Sequence, residues 1–350
     1  MTRENFAKLL KLDRKRLLLL VGLSVLSIAL LIALGGGWRT FEELAYASPT
    51  YLILAILFHY SGFAVRGHRW QVLLSIRGHR LPYRMATVLL ISGWFVSALV
   101  PARAGDLVRI SLLRSPLAQS PEILSVPIAD STSSIVLERV LDMSAILILG
   151  ASIGIILLNE QLPDWVSAAY SITLLLLLGF IITLLLSPPL LSWLSKRWNN
   201  SLYQKVLGLV TEIVEGLRIL PRSPRAGLLV LCESLYIWLC DALLFWFVIL
   251  SLHAYAPFAH SAFVALTVDI FAAIPITPGG IGQIESVYGA LLALLQSTQD
   301  NITITNIPAV ILLTRFVSYW SFLLFSGVIA FMAGIGQILA NHHQDGADNG

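Results

Sequence analysis

Apolar residues in this chain fall into long unbroken runs, not the alternating or one-sided patterns of a water-soluble fold. Eight runs stand out: Leu17–Leu34, Tyr51–Val65, Met85–Val100, Ile135–Leu158, Val166–Leu186, Gly227–Leu250, Ala262–Ile276 and Ala309–Ile338. A helix needs about 20 apolar residues to cross a hydrocarbon core about 30 Å thick. Most of the runs approach that length and predict membrane helices. Met85–Val100 and Ala262–Ile276 are too short for a full crossing. A different periodicity occurs once. Leu202, Val206, Leu209, Val210, Ile213, Val214 and Leu217 recur at helical spacing, with Lys205, Glu212 and Glu215 elsewhere. That pattern predicts an amphipathic helix over 201–220 lying on the membrane surface.

Composition agrees with the pattern. Hydrophobic residues make up 57% of the 350 and charged ones 12%, against roughly 25% charged in a soluble domain. The basic stretch before the first run ends at Gly35-Gly36-Gly37-Trp38, a poor signal-peptidase site, so Leu17–Leu34 is expected to be retained as a span. Cys232 and Cys240 lie about two turns apart on one expected helix, too far to bridge.

Lys and Arg collect in loops that stay in the cytoplasm. Residues 1–16 hold six of them and are expected inside; 35–50 and 159–165 are acid-rich and expected outside. The loop carrying Arg66, Arg69, Arg77, Arg80 and Arg84 reads as inside, as does the segment from Lys196 to Arg225. Segments 251–261 and 297–308 contain no Lys or Arg and read as outside. Parity then fails if every run is a full crossing. It is restored if the two short runs enter, turn and leave on the same side. Turn residues sit where such hairpins need them, at Pro101–Asp106 and Pro275–Gly282. The expected fold is an all-α polytopic membrane protein with about six full transmembrane helices, two re-entrant helical hairpins and both termini cytoplasmic. Eight ordinary spans would be the alternative, at the cost of leaving Arg109 and Arg114 outside.

The halves share a plan. Pro101-x-x-x-Gly105 matches Pro278-x-x-x-Gly282, and Arg139 and Arg315 follow the prolines at 38 and 37 residues. This predicts two inverted-topology repeats, 17–158 and 159–338, flanked by a basic tail 1–16 and a polar tail 339–350. In folds of that kind the site lies at the repeat interface near the midplane. The candidate residues follow from the cost of intramembrane charge. Arg103, Arg139 and Arg315 are candidate phosphate contacts, and Asp106, Glu138, Asp142 and Glu285 candidate orienting or relay groups. Gly105, Gly279, Gly280 and Gly282 are expected to allow tight hairpin tips whose helix starts suit an anion. Asp241 and Asp269 are further charges inside the layer. No metal-ligand spacing, nucleotide-binding motif or nucleophile pattern is present, so no cofactor, metal or nucleic acid is expected.

Three segments carry a family resemblance. They are Gly93-Trp94-Phe95 through Pro101-Ala102-Arg103-Ala104-Gly105-Asp106 to Arg109, then Leu137-Glu138-Arg139-Val140-Leu141-Asp142, then Ile274–Glu285 with Leu313-Thr314-Arg315. In that order they resemble the transmembrane region of lysylphosphatidylglycerol synthases, a flippase-like domain that also occurs as stand-alone proteins. The resemblance implies movement of a phosphate-bearing phospholipid or polyprenyl-linked head group between leaflets of the cell membrane. With only residues 339–350 after the last run, no aminoacyl-transfer domain is expected. Two rivals stay open: an intramembrane lipid-phosphate transferase or hydrolase using Glu138 and Asp142, and a non-transporting partner of a lipid- or glycan-synthesis enzyme. The basic loop 66–84 is expected to favour anionic lipids.

Overall fold

In the computed structural model, the described residues are 38–99, 104–113, 126–157, 164–197, 201–273, 277–298, 304 and 306–333. The expected span Leu17–Leu34, both tails, Pro101, Arg103, Arg114 and residues 274–276 lie outside them. Every extended regular element among the described residues is helical: α1 (Trp38–Ala45), α2 (Pro49–Ser75), α3 (Tyr83–Leu99), α4 (Ala104–Leu112), α5 (Ile128–Leu157), α6 (Asp164–Arg197), α7 (Ser201–Leu217), α8 (Pro224–Ser251), α9 (Phe258–Ala272), α10 (Gln283–Thr298) and α11 (Ile307–Met332).

Among the described residues, α8 and α11 are each long and apolar enough to cross a membrane, and α2 joins them if taken together with α1, which is bent 85° from it. Helices α3 and α9, of 17 and 15 residues, reach only about 25 Å and 22 Å and fall short of a full crossing. Prolines at the first turns of α2, α8 and α11 forfeit no intrahelical bond there. At α11 the Asn306 side chain also accepts from Ala309 N at 3.0 Å, and its Nδ2 donates to Thr40 of α1 at 3.2 Å.

Helices α2 and α8 run antiparallel along most of their lengths and form the centre. Around them α3 packs with α4, and α9 with α10, as two helical pairs. The pairs then cross over: α3 lies against the second part of α11, and α9 against α5. Lipid tails are as apolar as leucine, so close packing and polar bonds hold such helices together, not exclusion from water. Two apolar clusters result. One gathers Phe63, Trp70, Leu89, Leu90, Val108 and Phe322 around α3–α4. The other gathers Phe245, Ile249, Val264, Leu291, Leu292 and Val310 around α9–α10. The outer faces of α6 and α11 expose Leu175, Leu176, Ile182, Leu324, Val328 and Phe331, a surface that only a lipid solvent tolerates at this extent.

The amphipathic segment is helical as expected, but its apolar side is divided. Leu207 and Leu217 are buried, with Ile213 and Leu217 in a cluster with Leu137 and Leu141 of α5, while Val206, Leu209 and Val210 face outward. Arg77 closes the same end of the bundle. Its guanidinium bonds Asp130 at 2.7 Å and also Ser133, and a side chain at Gly216 of α7 would collide with it. Burial lowers the Arg77 guanidinium from its ordinary value, with Asp130 opposing.

The sequence placed Arg66 and Arg69 in a basic loop. Instead α2 continues to Ser75, and both arginines are buried within it, at 5% and 1% exposure. The run Tyr51–Val65 had stopped at the first charge, whereas the helix ends only with its apolar face, at Leu73 and Leu74. One irregularity marks α11: residues Phe316–Trp320, directly after Arg315, form a π turn.

Candidate functional site

Helices α2, α4, α5 and α8 converge on a buried ionic network of three arginines and three carboxylates. Arg69 Nη1 donates to Asp142 Oδ1 at 2.8 Å and to Ser234 Oγ at 2.7 Å. Trp238 Nε1 donates to the same Asp142 oxygen at 3.1 Å. Arg109 Nη1 lies 2.7 Å from Glu138 Oε2, and its guanidinium carbon stands 4.1 Å from the centre of the Trp70 ring. Arg139 Nη2 donates to both oxygens of Asp106, at 3.1 and 3.2 Å, and its Nη1 is 3.5 Å from Asp142 Oδ2. Weaker approaches close the circuit, Arg69 to Glu138 at 4.0 Å and Arg109 to Asp106 at 3.7 Å.

Helical spacing builds this arrangement. Glu138 and Asp142 are four apart on α5, and Asp106 and Arg109 three apart on α4, so each helix offers its pair on one face. The six formal charges cancel. Cancellation matters because removing an ion from water into a low-dielectric interior costs several kcal/mol unless it is matched and hydrogen-bonded. Exposure is uneven: the side chains of Arg139 and Asp106 are 29% and 19% exposed, against 5% or less for the other four. The network is therefore most open at Arg139 and Asp106.

The tip of the other helical pair is built differently. Arg315 Nε donates to Glu285 Oε1 at 2.8 Å, and its Nη2 donates to the Gly279 carbonyl at 2.7 Å. Glu285 is the third residue of α10, and its other oxygen accepts from Gly282 N at 2.7 Å, as in one half of a capping box. The start of α10 thus already holds a carboxylate of its own. At the start of α4, Gly105 N donates to Ser97 Oγ at 3.1 Å. Gly279, Gly280 and Gly282 have φ of 60°, 66° and 81°, the left-handed region open to glycine. Gly105 serves a different purpose: its backbone touches that of Gly93, so that any side chain would meet the Gly93 carbonyl.

The two tips meet. Tyr319, whose ring centre lies 4.5 Å from the Arg315 guanidinium, donates to the Ala98 carbonyl at the end of α3 at 3.0 Å. The turn Pro278–Gly280 also packs on α3.

Of the residues expected from sequence, Asp106, Glu138, Arg139 and Asp142 come together, as do Glu285, Arg315, Gly279 and Gly282. Arg103 is outside the described residues. Sequence reading missed Arg69 and Arg109 as site members, and Arg66 as well. Arg66 sits in an aromatic enclosure, its guanidinium carbon 5.0–5.3 Å from the ring centres of Phe63, Trp94 and Trp238. The signal was available. A run of 15 apolar residues is too short to cross, and extending it to about 20 takes in Arg66 and Arg69.

A family model described as the lysylphosphatidylglycerol synthase TM region matches residues 16–326. The UPF0104 membrane protein of Methanocaldococcus jannaschii is 28% identical over 239 residues, covering 68% of this chain and 94% of that protein. The UPF0104 membrane protein of Pyrococcus horikoshii is 24% identical over 334 residues, covering 90% of this chain and 96% of that protein.

Proposed function

The chain belongs to the lysylphosphatidylglycerol synthase TM-region family of integral multi-pass membrane proteins, and from that premise we propose that it moves a phosphate-bearing lipid head group between leaflets. The observation that carries this reading is the partly exposed edge of the network at Arg139 and Asp106. A charge-balanced network is partly exposed there, on α4 and α5, whereas α6 and α11 expose apolar side chains. A phosphate arriving at Arg139 competes with Asp106 for the guanidinium Nη2 that donates to both of its oxygens. Arg103 and Arg315 complete the contacts, and Glu138, Asp142 and Glu285 hold the arginines in place. The acyl or prenyl tail stays in the bilayer throughout.

The architecture we assign to this work is a pair of inverted repeats with re-entrant hairpins α3–α4 and α9–α10, both termini cytoplasmic, in the cytoplasmic membrane. Reciprocal packing supports it. The central helices α2 and α8 are equivalent under the repeat, and so are the contacts α3 with α11 and α9 with α5. Glu138 and Asp142, the residues of the hydrolase reading, are each engaged by an arginine.

The test uses the purified protein in vesicles of phosphatidylethanolamine and phosphatidylglycerol carrying a head-group-labelled fluorescent phosphatidylglycerol. Wild-type protein should expose inner-leaflet label to an external quencher. Arg139→Ala should slow exchange about ten- to a hundredfold, the worth of a lost charge-assisted hydrogen bond. Equal rates in protein-free vesicles, or an unaffected variant, would refute the assignment.

A further inference from the structure

A second set of ionisable side chains meets near the middle of the bundle and takes no part in the network above. His59 and Arg66 come from α2, Asp241 from α8 and Asp269 from α9. His59 is 6% exposed, and its Nδ1 points at Asp241 Oδ1 across 4.0 Å. The Asp269 carboxyl faces that of Asp241, and its Oδ2 is buried without a hydrogen-bond partner. Arg66 is 5% exposed, and its Nε is also unpartnered. Among the described residues no carboxylate lies within 4.0 Å of Arg66, although Asp142, Asp241 and Asp269 surround it at longer range. The other ionisable groups facing this set are Tyr170 from α6, Cys240 from α8 and Tyr288 from α10.

One guanidinium thus stands opposite two carboxyl groups that face each other. Ionised carboxylates only accept hydrogen bonds and repel one another, so such a pair in a low-dielectric interior keeps one proton between its members. Paired acids of this kind inside a membrane are the usual elements of proton-linked carriers. Their location is specific here, because Asp269 lies one turn from the end of α9, on the first arm of the second hairpin.

We propose that Asp241 and Asp269 form a one-proton acid pair, a proton-binding site between α8 and the α9–α10 hairpin, with Arg66 balancing the ionised member and the partly exposed Asp241 exchanging the proton. With the proton bound, α9 is held against α8. Its loss leaves two negative charges facing across that contact, and the hairpin moves away from α8. The proton is therefore the coupling ion for head-group movement. The coupling step rests on the translocase reading; proton binding does not.

Infrared difference spectra of the full-length protein in phosphatidylethanolamine and phosphatidylglycerol vesicles, recorded across a pH titration, test the pair directly. A protonated-carboxyl carbonyl band should vanish at alkaline pH. It should be missing in both Asp241→Asn and Asp269→Asn, since either change leaves a single acid beside Arg66. No band in wild type, or its survival in both variants, overturns the site. Arg66→Gln provides a check independent of those two: it should raise the pH at which the band vanishes, and an unchanged midpoint removes Arg66 from the proposal. Fluorescent-lipid exchange under an imposed pH gradient then reads the coupling. Acceleration is expected in wild type and not in Asp269→Asn. A titrating band with no lipid movement under any condition keeps the acid pair and removes the translocase reading. Movement indifferent to the gradient removes the coupling.

Discussion

The two helical pairs, α3–α4 and α9–α10, are each fastened to the next helix by an ion pair, and the two ion pairs have opposite polarity. In the first, the hairpin arm α4 brings the arginine, Arg109, and the following helix α5 brings the acid, Glu138, at 2.7 Å. In the second, α10 brings the acid, Glu285, and α11 the arginine, Arg315, at 2.8 Å. Their surroundings differ more than their polarity. Arg109 and Glu138 belong to six interlocked charges on three helices, whereas Glu285 and Arg315 rely on backbone groups of a glycine-rich turn and one tyrosine. The first fastening is rigid because each ion has several ionic neighbours. The second is local, made of Glu285, the Gly279 carbonyl and Gly282 N.

Glu138→Ala should have the largest effect on that contrast. It leaves Arg109 and Arg69 facing each other with reduced compensation, and breaking a buried pair in this way costs about 3–5 kcal/mol. Thermal unfolding in detergent should show it, and a loss no larger than that of a surface variant would mean the network is not structural. Exchanging the ions of each pair sharpens the comparison further. Arg315→Glu with Glu285→Arg should recover part of what each single change loses, a coupling of about 0.5–3 kcal/mol in a double-mutant cycle. Arg109→Glu with Glu138→Arg should recover none, because the incoming arginine on α5 faces Arg69 and the incoming glutamate on α4 faces Asp106. Equal recovery in both would erase the distinction. The smallest effect is expected at the glycines. Gly282→Ala keeps open space and meets only backbone strain of about 1–2 kcal/mol, while Gly105→Ala must part α3 from α4 and should lose more. Stability measurements that rank Gly282→Ala as the worse change would contradict the packing described for the first hairpin.

Much of this was legible in the chain. The apolar runs Gly227–Leu250 and Ala309–Ile338 fall on the long apolar helices α8 and α11, and the short runs Met85–Val100 and Ala262–Ile276 on the short helices α3 and α9. The spacing of Glu138, Arg139 and Asp142 gave the contact of Arg139 with Asp142. What escaped was the identity of the partners across helices. A sequence gives the face on which Glu138 lies, but not that Arg109 and Trp70 are brought to it. Arg66 and Arg69 escaped for a different reason. A charge normally ends an apolar run, and only the tertiary supply of Asp142, Ser234 and three aromatic rings lets α2 carry two arginines onward.

The π turn at Phe316–Trp320 has a consequence for how one helix can serve two masters. A turn that takes in an extra residue advances the helical phase by about 100°. Upstream of it, Arg315 looks toward the second hairpin; downstream, Phe322 stacks on Phe63 and Gly327 receives Phe95 of the first. The widened turn re-aims the rod midway, so that a single helix grips both helical pairs from different sides.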